Sequence, residues 1–229
     1  MRKIQRLGAA GVMAALTVTL AACGGSATPA SSAPPSSAAA APSPSMSAPM
    51  APAATGVTTN DDVFGPACDQ LPQGDAPGSL NNMGPQPVAS AAGTNPLLTT
   101  LVTAVGQVPG LADTLNQQKA ITVYAPYNGA FDAVQKSVGT AAFNKLLADP
   151  QQLGALLSYH VVPERLDAEG LVEAGKTTQL AGGQVTVGGT ADAPTLTSGN
   201  GTKAAVLCGN IPTSNATVFV IDKVLMPAS

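Results

Sequence analysis

Thr122-Val123-Tyr124-Ala125-Pro126-Tyr127-Asn128-Gly129-Ala130-Phe131 is the stretch on which the fold turns. With Ile121 ahead of it, β-branched and aromatic residues alternate through Ala125, the pattern of a strand. Pro126 fixes the backbone for a turn, and Asn128 stands where its side chain can cap the following helix or tie the turn. Val123 and Phe131 supply apolar bulk on either side of that turn. The stretch predicts a buried strand passing through a turn into a helix.

Before it, Leu97, Leu98, Leu101, Val102 and Val105 recur at helical spacing behind Asn95-Pro96, a helix start, and Leu111 with Leu115 predicts a short helix. After it, Phe143, Leu146 and Leu147 predict a helix ending at Asp149-Pro150. Leu153, Leu156 and Leu157 predict another, running into a strand at Tyr159-His160-Val161-Val162. From Lys176 onward the pattern becomes β: Gln184–Val187 alternates, glycine-rich turns intervene, and Ala204–Leu207 and Thr217–Ile221 read as strands. Val218 and Val220, interleaved with Phe219 and Ile221, predict a strand covered on both faces. Helices grouped ahead of strands, without βαβ alternation, give an α+β fold class.

The N-terminal end reads differently. Arg2, Lys3 and Arg6 precede an uncharged apolar run to Ala22, too short to span a bilayer, and Leu20-Ala21-Ala22-Cys23 follows as a lipobox. Residues 1–22 are expected to be a lipoprotein signal peptide and Cys23 the lipidated N-terminus, which places the protein on the outer face of the cell membrane. Residues 23–60 form an uncharged stalk rich in Ala, Pro and Ser that cannot bury enough apolar surface to order itself. Its reach lies between about 35 Å as a coil and about 115 Å fully extended. Thr55, Thr58 and Thr59 are candidate acceptors for O-linked sugars. Residues 61–229 make the folded domain.

The composition agrees with that partition. Of 229 residues 45% are hydrophobic, but much of this is alanine, and only 10% are charged. The formal net charge of −3 becomes more negative once the basic signal is removed, which excludes an electrostatic nucleic-acid surface. One histidine and three cysteines exclude histidine-rich metal sites and zinc ribbons. Cys68 and Cys208, in an exported domain, most simply form one disulfide; two free thiols or an intermolecular bridge are the alternatives.

Three ordered motifs resemble fasciclin-type domains. The Thr122–Phe131 stretch is similar to the family's first box, with Tyr127 where Thr is usual. Leu157-Ser158-Tyr159-His160-Val161-Val162 resembles its central Tyr-His segment. Ala216-Thr217-Val218-Phe219-Val220-Ile221-Asp222-Lys223-Val224-Leu225-Met226-Pro227 resembles its second box. The family core would run from 87 to 227. Together with the lipobox, stalk and paired cysteines, the chain resembles actinobacterial, especially mycobacterial, immunogenic surface lipoproteins of that family. The resemblance implies a single, monomeric domain of helices packed on a wedge of β-strands, with an adhesion role toward a protein or glycan partner in the envelope, the matrix or on a host surface. It also makes Tyr159 and His160 candidate contacts. Thr122, Pro126, Asn128, Phe131 and Asp222 are expected to be structural. Carriage of a lipid or other small molecule is the alternative function.

Enzymatic chemistry has little support. His160 lacks an evident nucleophile: Ser158, placed two residues away on the expected strand, sits in no G-x-S-x-G elbow. No phosphate loop, dinucleotide fingerprint or EF-hand occurs, and no cofactor or metal is implied. Asn200-Gly201-Thr202 and Asn215-Ala216-Thr217 read as incidental sequon matches, and Asp167, Glu169 and Glu173 as a solvated acidic run.

Overall fold

The computed structural model describes residues 56–228. Residues 1–22, expected to be a signal peptide, Cys23, Thr55 and the expected stalk as far as residue 55 lie outside the described residues.

Short 3-10 turns at Asn60–Asp62 and Cys68–Gln70 open the domain. A helical half follows: α1 (Leu80–Met83), α2 (Val88–Thr94), a 3-10 turn at Pro96–Leu98 leading into α3 (Thr99–Gly106), and α4 (Leu111–Gln117). Then come β1 (Ile121–Pro126), α5 (Asn128–Val138), α6 (Thr140–Ala148), α7 (Pro150–Ser158), β2 (Val161–Val162) and α8 (Ala168–Ala174). The chain closes with β3 (Lys176–Thr178), β4 (Gln184–Thr190), β5 (Ala193–Thr197), β6 (Lys203–Pro212) and β7 (Ala216–Ile221). The seven strands are ordered β2-β1-β7-β6-β5-β4-β3. β1 and β7 pair in parallel, and the other neighbours are antiparallel.

Local signals account for several boundaries. Asn95 caps the turn at Pro96 by accepting from Leu97 N at 2.9 Å. Asp149 ends α6 and begins α7, accepting from Gln151 N and Gln152 N at 3.0 and 3.1 Å. Those hydrogen bonds hold its carboxyl below the usual carboxylate range. The acidic run read as a solvated surface keeps Glu169 and Glu173 exposed, and its half-buried first member, Asp167, also begins a helix. Asp167 Oδ1 accepts from Gly170 N at 2.8 Å and α8 buries Leu171 completely.

β1 and β7 divide the interior into two cores. Ile121, Val123, Ala125, Ala216, Val218 and Val220 face the helices α1–α7. Tyr124, Phe219 and Ile221 face the second core, where α8 and β4–β6 contribute Leu171, Val185, Leu196 and Val206. Every residue of β1 and of β7 is buried, so the strands are covered on both faces as their sequences require.

The domain also begins earlier than a boundary at 61 allows. Gly56 O accepts from Arg165 Nε at 3.1 Å and from Thr217 Oγ1. A side chain at residue 56 would run into the Arg165 backbone, and Gly56 has φ 94°, so the close approach needs glycine. Thr58 is buried, which closes it to a sugar while this packing holds. Thr59 caps the Asn60–Asp62 turn reciprocally with Asp62 and remains exposed.

Cys68 and Cys208 form a disulfide with Cα atoms 5.1 Å apart, closing a sequence separation of 140. The β6 strand makes room for it. Its register with β7 shifts on both sides of Cys208, and Asn210 takes a positive φ of 56°. Gly209 N and O exchange hydrogen bonds with Phe64, bringing the N-terminal segment alongside the bulge.

Candidate functional site

Thr122, Phe131, Tyr159 and His160 lie on the inside of the fold, while Asn128 and Asp222 are half-buried. Tyr159 and His160, expected on a strand and as partner contacts, belong to no strand: α7 runs to Ser158 and β2 begins only at Val161. They occupy the turn between, where Tyr124 N donates to His160 O at 2.8 Å. At 1% and 3% exposure, neither side chain can meet a macromolecule.

Both side chains instead bridge distant segments. Tyr159 Oη donates to Gln184 O at 2.8 Å and accepts from Gly199 N at 2.9 Å, joining β4 to the turn after β5. His160 Nδ1 donates to Leu156 O at 2.8 Å, and Nε2 accepts from Leu225 N at 2.9 Å. The Leu225 N–H can only donate, and this fixes the neutral Nδ1–H tautomer. With both ring nitrogens engaged, His160 has no nucleophile to activate. Ser158 closes α7, and its backbone oxygen accepts from Ala181 N.

Burial lowers the His160 pKa to about 4, an effect that the Leu156 hydrogen bond opposes only in part. The unfolded chain therefore takes up a proton below about 6.5 that the native fold refuses until about 4. Stability from this site is fully present above the unfolded value and falls as the pH drops through that window, by up to ~3 kcal/mol. Urea unfolding at pH 7.0 and 4.5 is expected to show this loss in the wild type and a much smaller one in His160→Gln. Asp62 and Asp149, both held below the ordinary carboxylate value by their capping hydrogen bonds, lose their contribution only at more acidic pH.

The first-box residues have structural roles, some at unexpected range. Thr122 Oγ1 donates to Glu164 O and accepts from Leu166 N, both at 2.8 Å, fixing the loop between β2 and α8. Pro126 ends β1 opposite Ile221, and Phe131 is buried in the helical core. Asn128 does not cap its own helix, whose N-cap Tyr127 makes no side-chain cap either. Its Oδ1 accepts from Thr100 N at 2.9 Å and Thr99 Oγ1 at 3.1 Å, while Nδ2 donates to Pro96 O at 2.9 Å. It thus caps α3 from another helix. Asp222 Oδ1 accepts from Ala205 N at 2.7 Å, near the start of β6.

Two structural residues went unrecognised in the sequence. Asn215, matched only as a sequon, is buried between α2 and α4. Its Oδ1 accepts from Val88 N at 2.9 Å, and its Nδ2 donates to Leu115 O at 2.8 Å and Gln118 O at 2.9 Å. Arg165, half-buried, donates to Gly56 O and Thr217 Oγ1 through Nε and to Thr213 O at 3.0 Å. Desolvation lowers its pKa.

A polar hollow remains on the outside, lined by Asp61, Asp62, Asp167, Glu169, Asp192 and Asn210. Two of its carboxylates are capping groups, and among the described residues no three His, Cys, Asp or Glu side chains cluster as a metal requires.

Known proteins match this architecture. The Fasciclin domain family matches residues 96–227. "Cell surface glycolipoprotein MPB83" of Mycobacterium bovis is 36% identical over 96% of this chain and 94% of its own. "Immunogenic protein MPB70" of the same species is 39% identical over 77% and 86%. Among solved structures, a FAS1 domain pair from the insect cell adhesion molecule Fasciclin I superposes with a TM-score of 0.54 at 16% identity. That match covers 62% of this chain and 51% of the other, and at such identity it speaks to the fold alone. The two-core α+β domain, the three motifs built into its centre and these matches lead to one conclusion: the chain belongs to the fasciclin domain family.

Proposed function

We propose that this chain acts by binding rather than by catalysis, as a lipid-anchored surface protein that displays its domain to a protein or glycan partner outside the membrane. The observation that carries the reading is the extent of the match to the surface glycolipoprotein. It covers 96% of the chain, so Cys23 and the Ala/Pro/Ser-rich segment after it fall within the match along with the domain. Engagement of His160 and Tyr159 in internal hydrogen bonds supports a structural centre with contacts made elsewhere on the exterior. Thr55 and Thr59 remain the candidate sugar acceptors.

The test has two steps. Cys23→Ala is expected to move the protein from the membrane fraction to the medium; retention of the variant in the membrane would overturn the anchor. The released full-length chain should then bind saturably to intact host cells or isolated envelope and compete with the anchored form. Absence of saturable binding to every such surface would overturn the interaction role.

A further inference from the structure

An apolar cavity of about 200 Å³ lies between the helices and the central sheet. Its floor is Val123 and Tyr124 of β1 with Leu157 and His160. Its walls come from α2, α3 and α4, where small side chains stand at Ala89, Ala92, Gly106 and Ala112. A Cβ added at Gly106 would meet nothing within 4 Å. Small residues at these four positions leave the space open among Val88, Leu101 and Leu115.

The walls are dry by construction. Tyr124 Oη is paired with Thr177 Oγ1 at 3.2 Å, on the side away from the cavity's helices, and both ring nitrogens of His160 are spent on Leu156 and Leu225. A water inside would find none of the two to four partners it needs. An empty space forfeits dispersion contacts on all its walls. At roughly a third more than the 150 Å³ of an engineered apolar cavity that takes benzene, the volume suits a small apolar guest.

The mouth indicates the guest's shape. Ala89, Ala92, Val102, Val105 and Ala112 are half-exposed around the opening. They belong to a stretch, Ala76–Ala112, that contains no charged residue. A ligand that enters here crosses no charge and meets no polar anchor, so any polar group it carries must stay outside in water. One end apolar and the other wet is the form of a linear amphiphile.

We infer that this cavity is a binding site for the tail of a single unbranched hydrocarbon chain, as in a fatty acyl group. The site is independent of any macromolecular contact made by the domain's exterior.

The test uses the full chain with 13C-labelled Ala, Leu and Val methyl groups, titrated with octanoic acid. Saturable shifts are expected at Ala92, Ala112, Leu115 and Val123 methyls. Ala92→Leu and Ala112→Leu each place bulk in the void from a half-exposed position. Each is expected to weaken octanoate binding at least tenfold without lowering the thermal midpoint; the second stands in if the first does not fold. No saturable shift up to the solubility limit, shifts confined to other methyls, or filled variants that bind like wild type would overturn the site. The source of the chain is read by native mass spectrometry after incubation with dioleoylphosphatidylcholine vesicles. A one-phospholipid mass increase assigns it to membrane lipid, and uptake of octanoic acid alone assigns it to free acids.

Discussion

Replacing Cys68 and Cys208 together by alanine is expected to destabilise the domain by about 5 kcal/mol. The disulfide closes a sequence separation of 140, and loop-closure entropy of the unfolded chain at that length is worth about that much. For a domain with a total stability of roughly 5–15 kcal/mol, such a loss moves it to the edge of folding. Cys208 is fully buried in β6, but trimming one sulfur leaves a far smaller void than truncating a leucine, so the entropic effect dominates. Urea unfolding of the oxidised wild type, the reduced wild type and the double variant measures it. The last two should coincide, both well below the first. A difference under 1 kcal/mol between oxidised and reduced forms would show that the segment from Gly56 to Cys68 is held by its packing alone.

Asn215→Ala carries the second large effect, about 4 kcal/mol. The change strands Val88 N–H and Leu115 C=O, both buried, together with Gln118 C=O. An unsatisfied buried backbone group costs about 1–3 kcal/mol, and here the losses fall on the start of α2 and the end of α4 at once. Asn215→Asp separates hydrogen bonding from shape. It keeps the acceptor for Val88 but turns a carboxylate toward two carbonyl oxygens, so at pH 7 it should be at least as damaging as alanine, and milder once protonated. Chemical denaturation of both variants at pH 7 and pH 4 tests the pair. A loss below 1 kcal/mol for the alanine variant would mean that water replaces the amide.

Asn215 and Asn128 mark the limits of reading the chain. The strand-turn-helix at Thr122–Phe131, the doubly covered β7 and the α+β order were legible because each is written in local periodicity and turn chemistry. Asn215 was not, since its partners lie 97 to 127 residues away and only folding brings them together. Asn128 was read as a cap of its own helix or a tie of its own turn, and it is neither; its acceptor role falls on Thr100, 28 residues earlier. Leu157–Val162 is ambiguous because a helix end and a short strand share six residues, and the period of two at Tyr159–Val162 concealed the turn. Burial of Tyr159 and His160 follows from segments at Gln184, Gly199 and Leu225 that no local pattern connects to them. The stalk boundary was set by composition. Arg165 and Thr217, which hold Gly56, leave no trace in the composition of residues 56–60.

The clasp at Gly56 and the disulfide twelve residues beyond it also govern how the domain answers mechanical tension. A pull on the chain ahead of Gly56 first meets the hydrogen bonds from Arg165 and Thr217. If those yield, the load passes to the Phe64–Gly209 and Ala67–Leu207 hydrogen bonds, and peeling stops at Cys68, where the attachment is covalent and leads into β6. Force then enters the sheet through the strand paired to both β5 and β7. The domain would thus lengthen by one short step under drag that lifts Val63 and Phe64 from the edges of the two cores and leaves the seven strands paired.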